Sequence, residues 1–410
     1  MFPFVLPALM AVLAWAPPST QVSDADDPGA AGVATPGLDG QRRELLDIAF
    51  DAASAIPLMP HHKDRALTQL GVVETCLDLD QPELALAWAG EIRNWRRGEA
   101  YGDVARWLAL HGRADEAPHC LELAGKVLDG PSGGEDWQTW QRDRIRARIA
   151  STHMALGQTE QARPFAAGLA DSELQPIAEQ RAQGASEEEA DAFLRDVGAV
   201  FEGGSFEQVS AALTTCVGLH DRFRADAERR ARILDTIRAG LVRMPVTERL
   251  QVLEALARAA LEHGEKQEAL TLLDEARPLV VEADILPEAR VPLRARLVEL
   301  RFRAGDTGAA RAEVDEVLSQ FEAERDQILG TERADVLRPL AETCHAMGDR
   351  PAALTLFRRV ADLGAVNPNA RPRAEDLAAT CCSLARIGLQ PDEALRARLL
   401  EIRSGLVAPW

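Results

Sequence analysis

The chain is 410 residues long, 46% apolar and 27% charged, with 65 acidic against 46 basic residues and a formal net charge of −19. Phosphate binding is driven by clustered Lys and Arg, so this balance argues against nucleic acid or an anionic membrane as ligand. Only 5% of residues are aromatic, with one tyrosine, Tyr101, while alanine, the strongest helix former, is abundant; the mixture favours an all-α fold over a β-sandwich or barrel.

Phe2 to Ala16 form an apolar run ending in Ala14-Trp15-Ala16, a small-x-small triplet of the kind a signal peptidase reads. It is too short to span a bilayer core, so residues 1–16 are expected to be a signal-peptide-like segment. The protein is then exported to the periplasm or beyond, with no membrane span left after cleavage, or tethered where the segment stays uncleaved. No Lys or Arg precedes Arg42, and Pro17 directly follows the triplet, features that work against cleavage. Residues 17–41, rich in Pro, Gly, Ala, Asp, Ser and Thr without apolar periodicity, are expected to form a flexible linker.

Beyond the linker the chain repeats. A turn residue followed five positions later by alanine recurs six times: Asp80 and Ala85, Gly112 and Ala117, Gly157 and Ala162, Gly264 and Ala269, Gly305 and Ala310, Gly348 and Ala353. Seven residues before each turn stand Val73, Ala105, Ala150, Ala257, Val298 and Ala341, each preceded by a large aliphatic residue: Val72, Val104, Ile149, Leu256, Leu297 and Leu340. A seventh segment fits around Gly388, with Cys381 in the small column, Thr380 in the large one, and Ala394 one place late. Small residues in both helices let an antiparallel pair approach closely, and glycine ends the first helix in a left-handed conformation. Each unit is thus a helix hairpin, which cannot bury its apolar face alone.

These columns resemble the tetratricopeptide repeat, best in Arg258 to Gly264 with Ala269 to Ala276, and in Ala341 to Gly348 with Ala353 to Phe357. The resemblance covers residues 64–400 with a gap in the middle and implies a right-handed α-solenoid of antiparallel helix hairpins. The turns are 32, 45, 107, 41, 43 and 40 residues apart, so the period is longer than the family's usual ~34. The expected organisation is N-terminal hairpins over 42–170, a degenerate or irregular helical segment over 171–220, and C-terminal hairpins over 221–410. Phe206 to Leu219 and Arg222 to Arg243 read as helix, turn, helix within the gap.

The resemblance also implies that the first helix of each hairpin lines a concave groove. Six before each turn lie Glu74, Arg106, Ser151, Arg258, Glu299, Glu342 and Cys382; two before lie Asp78, Leu110, Ala155, Glu262, Arg303, Ala346 and Arg386. With Arg338, the C-terminal columns alternate in sign and are able to pair with each other or with a charged peptide. The family's carboxylate clamp is not matched, because none of Lys63, Lys126, Lys266, Asn94, Asn367 and Asn369 falls in those columns. Trp88, Trp95, Tyr101 and Trp107, with Trp137 and Trp140, form a second candidate surface, since such residues are common binding anchors and equally common packing residues.

Motifs for zinc proteases, serine hydrolases and phosphate loops are missing. The loop Gly130 to Gly134 lacks the lysine of a phosphate loop, His61-His62 with Asp64 has no further ligand, and six dispersed cysteines read as small buried hydrophobes. No cofactor, metal or catalytic residue is expected. The reading is an exported scaffold that binds a protein or peptide in its concave groove. The alternatives are a secreted helical toroid acting on polysaccharide, which needs a cleft with paired carboxylates and sugar-stacking aromatics and is opposed by the low aromatic content and the even alanine-rich repeat, and a sensor or dimerisation part of a larger complex.

Overall fold

The computed structural model describes residues 38–130 and 138–410. The signal-like segment, nearly all of the linker and most of the loop after Gly130 lie outside the described residues. Within them the chain forms α1 (Gly40–Ala55), α2 (Leu58–Asp78), α3 (Pro82–Ala89), α4 (Arg96–Leu110), α5 (Ala117–Asp129), α6 (Thr139–Ala155), α7 (Thr159–Ala166), α8 (Gln175–Gly184), α9 (Glu187–Gly203) and α10 (Phe206–Arg222). There follow α11 (Ala227–Leu241), α12 (Val246–Glu262), α13 (Lys266–Glu282), α14 (Pro287–Ala304), α15 (Thr307–Glu324), α16 (Arg333–Ala346), α17 (Arg350–Ala365), α18 (Ala370–Ile387) and α19 (Glu393–Ser404), with no strand among the described residues.

The repeat columns have the geometry their residue types demand. Asp80 and glycines 112, 157, 264, 305, 348 and 388 all adopt positive φ, from 56° to 105°. Each lets the chain leave an even-numbered helix and reverse; after Gly305 and Gly348, Asp306 and Asp349 cap the next helix. Ala85, Ala117, Ala162, Ala269, Ala310 and Ala353 are buried, as are the small residues they face from Val73 to Cys381. A Cβ added at Gly264 would meet nothing within 4 Å, so its φ of +77° alone sets the cost of a side chain there. Gly264→Ala is expected to lower stability by about 1 kcal/mol in urea denaturation without changing the helical spectrum.

Residues 171–220 hold α8, α9 and most of α10, the last two opened by reciprocal capping boxes at Ser186 with Glu189 and Ser205 with Gln208. α8 packs on α6 and α10, so the inner row of helices continues through the gap, while α9 lies against α10 and α11. One core runs through α1 to α5 and on through α14 to α18, so segments 42–170 and 221–410 share it.

An open solenoid leaves its first and last hairpins apart; here they meet. Each even-numbered helix packs on the next, from α2 through α18, and α18 packs on α2. Nine inner helices therefore close a ring. At about 9 Å between neighbours it would measure about 26 Å across the helix axes, leaving an opening of about 15 Å. The outer place beside α18 is filled chiefly by α1, which packs on α18 and α2, while α19 is displaced toward α17. Ala394, expected to be the contact alanine of the last hairpin, is accordingly exposed. The close contact is made instead by α1, whose Ala49, Ala52 and Ala53 are fully buried.

Candidate functional site: the inner face of the ring

Two glycines shape one arc of the inner wall. A Cβ on Gly98 would come within 2.8 Å of Ile145 Cδ1, and one on Gly102 within 2.5 Å of Arg148 Cβ. α4 and α6 thereby approach closely, and Arg148 reaches across to Asp103 at 2.7 Å and Glu99 at 3.7 Å. Arg144 joins Glu173 at 3.1 Å, and Arg106 joins Glu179 of α8 at 3.3 Å. Burial pushes the Asp103 carboxyl up to about 6 against the pull of Arg148, with Glu99 adding to the rise.

Glu74 of α2 faces the same cluster. Its side chain is solvent-exposed, and among the described residues it has no hydrogen-bond or ion-pair partner. Desolvation by the protein crowding the ring interior, then Asp103 and Glu99, raise its carboxyl to about 8, with Arg148 opposing.

The predicted C-terminal columns lie on α12, α14, α16 and α18, and most of their charges pair within the wall. Arg258 bonds Glu254 at 3.0 Å, and Glu254 also accepts from Arg296. Arg303 lies 3.7 Å from Glu299, whose carboxyl is raised by burial despite Arg258 and Arg303. Glu262 ends α12 and is half-buried. Arg338 meets Asp335 at 2.6 Å, and its neighbouring carboxylates hold it cationic against burial. Glu342 accepts from Ser383 of α18. Arg386 donates to Asp78 at 2.7 Å and to Thr75 at 2.8 Å, joining the last inner helix to the first. Burial nevertheless pushes Asp78 up more than Arg386 pulls it down.

The aromatic residues have separate surroundings. Trp88 stacks on Phe50 of α1, with ring centroids 4.5 Å apart and Arg43 above it, so it belongs to the closure of the outer layer. Trp95 is buried edge-on against Trp140 at 5.2 Å, with Arg96 over its face. Tyr101 is half-buried against the same cluster, and Trp107 stacks on His111 at 4.1 Å.

Glu99, Asp103, Arg144 and Arg148 escape a reading limited to the columns six and two before each turn. They stand nine and thirteen before it, where the same inner stripe continues toward the helix N-terminus. The Gly98-x-x-x-Gly102 spacing was the available signal for the close approach that joins them.

All six cysteines are free and buried. No group of three or more His, Cys, Asp or Glu able to hold a metal occurs among the described residues, and His61 pairs with Asp64 at 3.5 Å. Among those residues no helix is long and apolar enough to cross a membrane. No family model and no curated protein matches the chain.

Proposed function

We propose that the protein is an exported ring of tetratricopeptide-like hairpins that binds a protein or peptide partner at its inner face and performs no chemistry on it. The observation that carries this reading is Glu74, an exposed carboxyl without a partner in a wall whose other charges are largely matched. A matched wall contributes rigidity and selects against unpaired charge; an unmatched carboxyl raised to about 8 gives up its proton when an Arg or Lys of the partner comes beside it, and the ion pair forms there. Crosslinking with mass spectrometry in the native envelope is expected to place a partner against α2, α4 and α6. Glu74→Arg should cut that crosslink about tenfold, the loss of one charge-assisted contact, while leaving the melting temperature within a few degrees. Crosslinks confined to the outer helices, or indifferent to Glu74→Arg, would refute it.

A second reading, a toroidal enzyme acting on polysaccharide, is favoured by the closed ring and by two inner carboxyls raised to different degrees, Glu74 to about 8 and Asp103 to about 6. Such a split suits a general acid and its partner carboxylate. Release of reducing sugar from a polysaccharide panel, abolished by Glu74→Gln, would establish it. Activity unchanged by that substitution would dismiss the assignment of Glu74.

A further inference from the structure

Exposed hydrophobic side chains on a soluble protein are ordinarily scattered. In this ring they are sorted. Each hairpin runs from an inner helix through a tight turn to an outer helix. One edge of the ring therefore gathers the tight turns, and the other gathers the connections from each outer helix to the next inner one. Among the described residues twelve large hydrophobics are exposed. Ten of them lie in or beside those connections, and the remaining two, Leu67 and Leu110, lie in the inner-face stripe.

The most exposed are Met59, Val242, Leu286, Leu329, Val366 and Val407, between 62% and 76% accessible. The first five occupy the connections into α2, α12, α14, α16 and α18, five neighbouring inner helices once closure sets α18 beside α2. Met59 projects from a non-helical first turn of α2. Val407 joins the arc because the C-terminal segment returns to the start of α18, where Ala370 N–H donates to Pro409 O at 2.7 Å.

We propose that this arc docks on a neutral lipid bilayer, its tips entering the interface one by one. Each tip offers at most about 100 Å² of apolar surface, and successive inner helices hold the tips about 10 Å apart. A second copy of the chain would need about 800 Å² of continuous, close-packed surface on each side. Fluid lipid needs no such continuity, because it closes around single side chains. Near the tips stand Arg243, held by Phe201 O, Arg333, held by Ile328 O and Asp326, and Arg403, paired with Asp51, together with the acidic Asp284, Asp326 and Glu332, so this edge carries both signs. The opposite edge carries Asp226, Asp306, Asp349 and Asp392 at its helix starts and is turned toward solvent. With a net charge of −19 the chain is repelled by anionic lipid, which leaves an uncharged surface as the partner.

The test is flotation of the full-length protein with phosphatidylcholine vesicles. Binding is expected to persist as salt is raised to about 0.5 M, where surface electrostatics are screened. The triple variant L286E/L329E/V366E is expected to bind at least about 100-fold more weakly. Both proteins keep residues 1–37, so any binding by the apolar N-terminal run is common to both and is measured as the binding that the triple variant retains. Because the native cysteines are buried, a dye on Leu329→Cys reports its own position and should be quenched by brominated lipid, whereas one on Gln267→Cys at the turn edge should not. Four results would overturn the proposal: an unbound wild type, equal binding by the triple variant, equal quenching at both positions, or a dimer that the same substitutions dissociate.

Discussion

Replacing Leu46 by aspartate is expected to open the ring while leaving most helices intact. The seam where α1 and α2 meet α18 is the junction that joins the two ends of the chain. Leu45, Leu46 and Ile48 are buried in the core that α1 shares with α2 and α18, with Leu46 fully inaccessible. Three such side chains contribute about 5–9 kcal/mol by burial. Four ion pairs, Arg371 with Asp64, Arg386 with Asp78, Arg396 with Glu44 and Arg403 with Asp51, also cross between the ends. Exposed pairs are worth only about 0–1 kcal/mol each, so the apolar seam decides closure. Leu46→Asp removes one apolar side chain and puts a carboxylate where no partner waits, a loss of about 5 kcal/mol or more. Small-angle scattering should show a larger radius of gyration and a longer maximum dimension, with far-ultraviolet circular dichroism close to wild type. Arg396→Ala should leave the scattering curve unchanged. An unaltered curve for Leu46→Asp, with helix content intact, would mean that the seam does not hold the ring.

The hairpins could be read in advance because their marks are local. Left-handed glycine and the alanine five residues on belong to one turn, and all seven turn positions take positive φ. Closure leaves no such mark. α1 meets α18 over a separation of more than 300 residues, and Ala49, Ala52 and Ala53 follow no turn that would align them with the other contact alanines. The same blindness placed the last hairpin's contact at Ala394, when the real partner of α18 comes from the other end of the chain. The inner wall was half legible for a related reason. Columns near the turn share a register, so Arg258, Glu299, Arg303, Glu342 and Arg386 could be named. Farther from the turn, residue identity is set by how closely neighbouring helices approach, and there Asp103, Glu99 and Arg148 were invisible until Gly98 and Gly102 were seen to pull α4 onto α6.

A buried carboxyl on α18 should make the protein lose stability as pH rises. Asp376 is 5% exposed, and its Oδ2 has no hydrogen-bond partner among the described residues. Ala361 and Gly364 of α17 and Leu399 and Ile402 of α19 enclose it too tightly for a water molecule. A Cβ on Gly364 would lie 2.7 Å from the Asp376 Cβ. Burial pushes the carboxyl up to about 7; Asp335 of α16 and Glu375 of α18 add to the rise, and Arg338 of α16 opposes it. In the unfolded chain the group titrates near 4. Between these values the folded state holds a proton that the unfolded state has released. Stability therefore falls from about pH 4 to about pH 7 and stays low above it. The full shift corresponds to about 4 kcal/mol. Asp376→Asn keeps the shape and abolishes the charge, and its amide costs part of the gain for want of an acceptor. The variant is expected to be about 2–3 kcal/mol more stable than wild type at pH 8 and, because the amide cost remains when the carboxyl is protonated, about 1–2 kcal/mol less stable at pH 4. Urea midpoints across that range would check it. Glu74 and Asp103 contribute slopes of the same sign to both proteins, so the difference between the two curves belongs to Asp376. Parallel curves would show that its carboxyl is ionised in the folded ring at little cost.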